Sequence, residues 1–270
     1  MRKHIKLALV RLGLARFAFR SREWLRALKF RAHRAVATAD GFPIPPGRLI
    51  VLVTGSSDRG WYVDGGRQGA QSIRATLESA GLDVASFRTV LDFGCGCGRV
   101  IRHWRPLTET ELYGSDCNPK MVEWCRGNLP FAKFQLNTLE PALEYTDEQF
   151  EFAYALSVLA HTPESLQQAW INELWRILRP GGYLLITTQG GEYLSRLTPN
   201  EKIQYQEGRL VVRYQAAAGS NLCSSYHPER YVREQLARKF SIALCRPGGA
   251  MGSGNQDIYL LRKHDSALAG

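Results

Sequence analysis

A run of alternating glycines constrains the fold of this chain more than any other feature. Gly94-Cys95-Gly96-Cys97-Gly98 directly follows an apolar segment, residues 87–93, and precedes a helical pattern that extends to Trp104. Glycine is required where the backbone turns sharply or approaches a ligand closely, because it has no Cβ. A strand, a glycine loop and a helix in this order predict a binding site at the carboxyl edge of a sheet.

Strand-like and helix-like segments alternate after this loop. Asn118 and Pro119 are placed to cap and open one of the helices, since Asn is a favoured N-cap and Pro a favoured first helical residue. Alternation at this spacing predicts parallel β-α-β units with helices on both faces of the sheet. The expected fold class is α/β, a doubly wound Rossmann-like seven-stranded sheet that is mostly parallel and ends in an antiparallel hairpin. The predicted strands are residues 87–93, 111–115, 131–136, 150–156, 183–188, 240–244 and 258–261.

A proline-rich stretch, residues 41–47, is the clearest boundary, because Pro disfavours helical geometry at its own position and at the preceding one. It predicts a basic helical arm, residues 1–40, followed by one domain, residues 41–270. Within that domain we expect three parts: a cofactor-binding half at about 86–190, a substrate or lid segment at about 190–235 containing a helix near 228–239, and a closing hairpin at 236–264.

The net charge of +10 belongs to the arm. Residues 1–34 contain eleven of the 35 Lys and Arg residues and a single acid, Glu23, so the remaining chain has equal numbers of acids and bases. Residues 22–36 form an amphipathic pattern, in which Trp24, Leu25 and Leu28 share a stripe opposite the cations. This pattern favours an anionic membrane surface or a partner protein over nucleic acid, because phosphate binding does not need an apolar face.

Composition excludes several classes of protein. With 44% hydrophobic residues the chain can bury a core. The sequence contains no run of roughly 18 uncharged apolar residues, so no transmembrane helix is predicted. The N-terminus lacks the uninterrupted apolar segment of a secretory signal, although its Arg-rich composition also suits an organellar transit peptide. The six cysteines lack metal-site spacing, which predicts reduced thiols, no metal and a cytoplasmic protein. The basic arm could attach this protein peripherally to a membrane.

An acidic residue follows the second predicted strand. Asp116 stands eighteen residues after Gly98, and an acid at this position can accept hydrogen bonds from both hydroxyls of a ribose. The glycine loop and this acid together predict a cofactor that contains a nucleoside.

With Asp92 before the loop and Pro180-Gly181-Gly182 before the fifth strand, residues 60–264 resemble the class I S-adenosylmethionine-dependent methyltransferases. The resemblance implies S-adenosyl-L-methionine as cofactor. It also implies that Asp92 lies beneath the cofactor's amino-acid portion, that Asp116 holds its ribose, and that Asn137 meets its adenine amine. The full set of cofactor-binding residues it implies is Asp92, Gly94, Cys95, Gly96, Gly98, Asp116, Cys117, Asn137 and Ser157.

Three further positions are candidates on the substrate side. His161 follows the fourth strand and could act catalytically by taking a proton from a hydroxyl acceptor, or it could be a packed histidine. Tyr226-His227 could belong to a lid or to a turn. Arg67 could reach the cofactor carboxylate or remain solvated.

The reaction expected from the resemblance is in-line methyl transfer, as O-methylation of a small-molecule, glycan or lipid-linked acceptor. Leu156-Ser157-Val158-Leu159 lacks the acidic or Asn-Pro-Pro-aromatic signature of amine and amide methylation, and no Pro-Cys nucleophile is present. Two departures from the family pattern, Ala160 and Gln189, leave the acceptor open. The alternatives are an RNA or DNA methyltransferase that uses the basic arm, and a non-catalytic cofactor-binding protein docked on a membrane or partner.

Overall fold

The structure, a computed structural model, describes residues 40–265 of the 270-residue chain, so the predicted amphipathic arm, residues 1–36, lies outside the described residues. The helices are α1 (Gly47–Thr54), α2 (Arg59–Ser79), α3 (Pro119–Asn128), α4 (Glu164–Ile177), α5 (Pro199–Gln206) and α6 (Glu229–Tyr231), the last of which continues as a π-helical turn, Val232–Leu236. The strands are β1 (Thr89–Phe93), β2 (Glu111–Asp116), β3 (Lys133–Leu136), β4 (Phe150–Ala155), β5 (Leu178–Thr188), β6 (Val211–Arg213), β7 (Ser224–Tyr226), β8 (Phe240–Ala250) and β9 (Gln256–Lys263).

Seven of these strands form one sheet in the order β3-β2-β1-β4-β5-β9-β8. The pairs from β3 to β5 are parallel, whereas β9 pairs antiparallel with both β5 and β8. The prediction of a doubly wound, mostly parallel sheet with a C-terminal antiparallel hairpin is confirmed. The order reverses between β1 and β4, and ligands of such sheets bind outside the carboxyl ends of the strands at this switch point.

Alternation along the central strands divides the core between the two faces of the sheet. Val90 and Phe152 point to the face that α2 and α3 cover, whereas Leu91 and Ala153 point to the face that α4 covers. All four side chains are buried, as expected for strands with helices on both sides. This sheet provides a rigid edge on which loop residues can be positioned.

Several predicted elements differ in extent. Asn118 caps α3 by accepting a hydrogen bond from the Lys120 amide at 3.1 Å, as predicted. The strand predicted over 183–188 starts earlier, because Leu178 already pairs with Phe150. The helix predicted near 228–239 ends at Leu236, and the irregular stretch after residue 190 contains α5 and a second small sheet, β6 with β7.

The proline-rich boundary is attached to the 3-10 turn Ile101–Trp104, which follows the glycine loop. The guanidinium of Arg102, which is 2% exposed, donates from Nε and Nη2 to the two carboxylate oxygens of Asp40 at 2.6 and 2.8 Å. Nη2 also donates to the Phe42 carbonyl at 3.0 Å. In residues 40–265, no helix is both long enough and apolar enough to span a membrane.

Candidate functional site

A cavity of about 1190 Å³ opens at the carboxyl edge of the parallel strands. Its floor is the segment from Asp92 to Gly96, at the end of β1 and in the glycine loop. The ends of β2 and β4 form two walls, and α1 covers the cavity together with residues 217–222. The cavity therefore lies where the order of the sheet reverses.

The glycine loop adopts backbone angles that other residues rarely reach. Gly94, Gly96 and Gly98 have φ values of 75°, 56° and 68°. Gly94 and Gly96 line the cavity, and a Cβ on Gly96 would lie 3.0 Å from a methyl group of Val53 in α1. Gly98 was predicted to bind the cofactor, but it does not line the cavity. A Cβ there would lie 2.3 Å from Leu129, so this glycine permits close packing of α3.

Asp116 joins the glycine loop to the end of β2. Its Oδ2 accepts a hydrogen bond from the Gly96 amide at 2.9 Å, and its Oδ1 accepts one from the Asn118 amide at 2.8 Å. Burial raises the pKa of this carboxyl, while the two amides oppose that shift. Each carboxylate oxygen can accept a second hydrogen bond. Asp116 lines the cavity and can therefore bind a ligand while it holds the loop.

Asp92 lies beneath the loop, 3% exposed, and lines the cavity. Burial raises its pKa from about 3.8 to about 7, although a hydrogen bond from Tyr154 and the positive charge of Arg99 oppose the shift. Its Oδ2 has no hydrogen-bond partner among the described residues. An unpaired buried carboxylate oxygen is costly, so this position is suited to a cationic or N–H-donating ligand group.

The other predicted cofactor residues also line the cavity. They are Cys95, Cys117, Asn137 and Ser157. Asn137 donates from Nδ2 to the Thr138 carbonyl at 2.7 Å, and this leaves its buried Oδ1 without a partner. Ser157 has a φ of 63°, and its Oγ accepts a hydrogen bond from Gln256 at 2.6 Å. The C-terminal hairpin thus helps to position a residue of the β4 end.

His161 lies in a 3-10 turn after β4 and faces the cavity. Its Nδ1 is 2.7 Å from the Cys223 carbonyl, which only accepts hydrogen bonds, so Nδ1 carries the proton. Burial lowers the pKa of the imidazole, against the opposing effect of that carbonyl. The ring is therefore neutral near pH 7, and Nε2 has a lone pair and no partner among residues 40–265.

Two other candidates lie away from the cavity. Arg67 is exposed on α2 and pairs weakly with Asp64 at 3.5 Å. His227 is fully buried, with its Nε2 3.1 Å from the Gln167 side chain, and burial lowers its pKa to about 3. Tyr226 is also buried, and it belongs to β7. None of these three residues lines the cavity.

Arg99, unlike Arg67, lines the cavity. It directly follows the glycine loop and donates from Nη1 to the Gly252 carbonyl at 2.9 Å. Burial lowers the pKa of its guanidinium, but Asp92 opposes the shift. Its place beside the glycine loop was the signal in the sequence that could have identified it.

Segments far apart in the chain complete the cavity, and no motif indicated them. Asn221 donates from Nδ2 to the Leu52 carbonyl at 2.7 Å, and this connects residues 217–222 to α1. Trp61 of α2 and the turn at 252–254 also line the cavity. Among residues 40–265, no group of three His, Cys, Asp or Glu side chains is placed to hold a metal ion.

Comparison with known proteins assigns the central part of the chain. Residues 90–182, which run from β1 into β5, match a family model described as Methyltransferase domain. A malonyl-[acyl-carrier protein] O-methyltransferase of Enterobacter lignolyticus is 32% identical over 118 residues, which cover 44% of this chain and 45% of that protein. The chain thus spans less than half the length of the curated relatives that it matches.

Solved structures confirm the fold. A 1,6-didemethyltoxoflavin-N1-methyltransferase of Burkholderia thailandensis, solved with S-adenosylhomocysteine bound, aligns with a TM-score of 0.53 and 17% identity over 75% of this chain and 80% of that one. An S-adenosylmethionine-dependent methyltransferase of Mesorhizobium loti aligns with a TM-score of 0.53 and 17% identity over 71% and 98% of the two chains. The matched segment, residues 90–182, contains the glycine loop and Asp116, and the match identifies this part of the chain as a methyltransferase domain.

Proposed function

We propose that this protein binds S-adenosylmethionine in the cavity and methylates a hydroxyl group of a small-molecule, glycan or lipid-linked acceptor. The observation that carries the proposal is the position of Asp116. Its carboxylate accepts a hydrogen bond from the Gly96 amide, lines the cavity, and can accept further hydrogen bonds from a ligand. The Burkholderia thailandensis structure, with S-adenosylhomocysteine bound on a similar fold, supports this choice of cofactor.

The unpaired atoms of the cavity fit the polar groups of this cofactor. Asp92 Oδ2 and Asn137 Oδ1 are both buried hydrogen-bond acceptors without a donor. An ammonium group would satisfy the first and an adenine amine the second, because both groups supply N–H donors. The residues of the cavity therefore suit a ligand that has an amino acid at one end and a nucleoside at the other.

The proposed roles follow from where each group lies. Asp116 would accept hydrogen bonds from the ribose hydroxyls, and Arg99 would pair with the carboxylate of the amino-acid portion, the role first considered for Arg67. Gly94, Cys95 and Gly96 would bring the backbone close to the ligand, and Cys117 and Ser157 would contact it from the ends of β2 and β4. When bound, S-adenosylmethionine supplies an electrophilic methyl group on a sulfonium, so the protein needs no nucleophile of its own.

His161 is the proposed general base. Its Nδ1–H is held by the Cys223 carbonyl, and its Nε2 lone pair is available on the cavity side. A neutral imidazole in this tautomer can take a proton from an acceptor hydroxyl as the methyl group is transferred. The similarity to an O-methyltransferase supports oxygen as the methylated atom.

Calorimetry with S-adenosylhomocysteine tests cofactor binding. We expect the Asp116→Ala variant to bind at least tenfold more weakly than the wild type. The reason is that hydrogen bonds from hydroxyls to a carboxylate contribute more binding free energy than hydrogen bonds between neutral groups. Asp64→Ala is the matched control, since Asp64 is exposed and lies outside the cavity lining. Equal affinity of the wild type and Asp116→Ala, or no binding by the wild type, would overturn the proposal.

The chain organisation is part of the proposal. We propose that residues 1–40 are a basic amphipathic arm that attaches the methyltransferase domain, residues 41–270, to an anionic membrane surface or a partner protein at the cytoplasmic side. The concentration of positive charge in residues 1–34 supports this. Deletion of residues 1–36 should abolish sedimentation with anionic liposomes and leave the affinity for S-adenosylhomocysteine unchanged. Sedimentation that persists after the deletion contradicts the proposal, and RNA binding that anionic lipid does not displace favours a nucleic-acid substrate.

A further inference from the structure

The cavity has a second rim, on the side of β5 and β9, opposite β2. We call it the acceptor mouth and define it as Trp61, Tyr193, Arg196 and the turn at 252–254, all of which line the cavity. The Tyr193 hydroxyl donates to the Gly254 carbonyl at 2.6 Å, and this connects the segment after β5 to the turn. A Cβ on Gly65 would lie within 3.7 Å of both the Trp61 ring and the Gly252 carbonyl, so the indole is next to the same turn.

The acids that line the cavity are confined to one of its sides. The two acids are Asp92 and Asp116, and both lie on the cofactor side. The cations are Arg48, Arg99, Lys120 and Arg196, and of these Arg196 belongs to the acceptor mouth. A ligand group at this rim therefore meets a positive charge and no carboxylate among the cavity-lining residues.

Arg196 differs from the other arginines of its segment. Residues 190–235 contain four further arginines, and each forms a salt bridge with a glutamate; these are Arg209, Arg213, Arg230 and Arg233. Arg196 has no carboxylate partner among residues 40–265. It is therefore the arginine of this segment that is available to an anionic ligand.

The guanidinium of Arg196 is held in place without being neutralised. Its Cζ lies 4.4 Å from the centre of the Tyr193 ring, and that ring is 5% exposed and fixed through its hydroxyl. Arg213, which is itself paired with Glu201, donates to the Arg196 carbonyl at 3.0 Å and so restrains the backbone. A stacked guanidinium presents its planar donors for bidentate binding of a carboxylate or a phosphate.

The opposite side of the acceptor mouth is apolar. The Trp61 side chain is 40% exposed, which is high for the largest apolar residue of a folded domain. Exposed aromatic surface at the edge of a cavity marks a place where a ligand buries its own apolar part. The acceptor mouth thus combines one unpaired cation with one exposed indole.

We infer that the methyl acceptor is an amphipathic anion, whose carboxylate or phosphate oxygens bind Arg196 and whose apolar part lies against Trp61. This inference rests on the proposed methyltransferase function and deepens it, because it names the class of acceptor. Arg196 lies at the rim of the cavity, so the inference concerns how the acceptor binds. It holds whichever acceptor atom is methylated.

Binding of simple probes tests the inference. The full-length protein is saturated with S-adenosylhomocysteine and titrated with decanoate, decyl phosphate and decan-1-ol. We expect decanoate or decyl phosphate to bind at least tenfold more tightly than decan-1-ol, and the stronger of the two identifies the oxyanion. In the Arg196→Gln variant this advantage should disappear, while the affinity for decan-1-ol stays the same. Arg196→Lys, which keeps the charge but not the planar fork, should fall between them.

Arg74→Gln is the matched control. Arg74 also stacks on an aromatic ring, with its Cζ 5.4 Å from the centre of the Trp104 ring, but it does not line the cavity. Its variant should bind all three probes like the wild type. Equal binding of the anionic and neutral probes, equal binding by Arg196→Gln and the wild type, or no binding of either anion overturns the inference. Binding of S-adenosylhomocysteine by the wild type is measured beforehand. Its absence would overturn the proposed function and not this inference.

Discussion

The cofactor side and the acceptor side of the cavity are built in different ways. On the cofactor side, Asp116 bonds to Gly96 across 20 residues and to Asn118 across two. On the acceptor side, Tyr193 bonds to Gly254 across 61 residues, and Met251, which precedes the turn at 252–254, bonds to Ser72 of α2 across 179. The first side comes from two successive β-α units, whereas the second requires the whole domain to have folded. Under the proposed function, short-range geometry encodes the cofactor site, and long-range packing shapes the site of the methyl acceptor.

The largest expected effect is a loss of kcat in His161→Gln, which tests whether this histidine takes part in the reaction. His161→Gln can keep a hydrogen bond to the Cys223 carbonyl but has no basic nitrogen, and we expect kcat to fall by about 10²- to 10⁴-fold. Because burial lowers the pKa of His161, wild-type kcat should fall only at a pH below the ordinary range of imidazole titration.

The measurement is a pH profile of kcat with an acceptor identified by a labelled-methyl screen. The affinity for S-adenosylhomocysteine should be unchanged, and His264→Gln, at an exposed position outside the cavity, is the control. An unchanged kcat in His161→Gln assigns this histidine to packing.

Asp92→Asn tests the cost of the buried acid on the cofactor side. The folded protein holds a proton on Asp92 up to about pH 7, whereas the unfolded chain releases it near pH 3.8. The folded state therefore binds more protons between these values, so the free energy of unfolding falls as pH rises through this window, by up to about 4 kcal/mol. The variant should be more stable than the wild type at pH 8, and the difference should shrink at pH 5.

Urea unfolding of the cofactor-free protein at both pH values measures this difference. Asp64→Asn, which changes an exposed acid outside the cavity, is the control. A stability difference that is the same at pH 5 and pH 8 would mean that Asp92 is ionised in the folded protein across this range.

Gly98→Ala separates ligand approach from packing in the glycine loop. With a φ of 68° and a Cβ position 2.3 Å from Leu129, alanine should lower the free energy of unfolding by about 3 kcal/mol. Gly127→Ala in α3 is the matched control, since a Cβ there meets no atom within 4 Å, and it should stabilise the protein by about 1 kcal/mol. Thermal unfolding of the two variants should therefore shift in opposite directions, and a shared direction contradicts the packing role of Gly98.

The smallest effect concerns the cover of the cavity, formed by α1 and residues 217–222. Asn221→Ala removes the hydrogen bond to the Leu52 carbonyl. It should lower the free energy of local unfolding of this cover by about 1 kcal/mol. We expect faster hydrogen exchange in residues 217–222 and α1, with no change in the sheet. Asn200→Ala, at an exposed position in α5, should leave the exchange of both segments unchanged. Unchanged exchange in Asn221→Ala would show that other contacts hold the cover.

Two arginines illustrate how far the site could be predicted. Arg67 and Arg99 each follow a glycine, and the sequence singled out Arg67. In α2, however, Gly65 and Gly66 face inward, where a Cβ would come within 2.9 Å of the Arg99 side chain, and Arg67 is turned to solvent. The direction of a helix face depends on what packs against it, and periodicity alone could not decide this for a helix rich in glycine.

The sequence by itself determined the order of the β-α units, the glycine loop, the Asn118 cap, and the placing of Asp92 and Asp116 at neighbouring strand ends. These features follow from apolar periodicity and from backbone geometry that only certain residues adopt, and both act over a few residues. Only the tertiary structure decided that Gly98 serves packing, that His227 is buried, and that Trp61 and Arg196 share one rim with the turn at 252–254. The reason is that contacts across a hundred or more residues arise from the fit of packed surfaces, which no local pattern encodes.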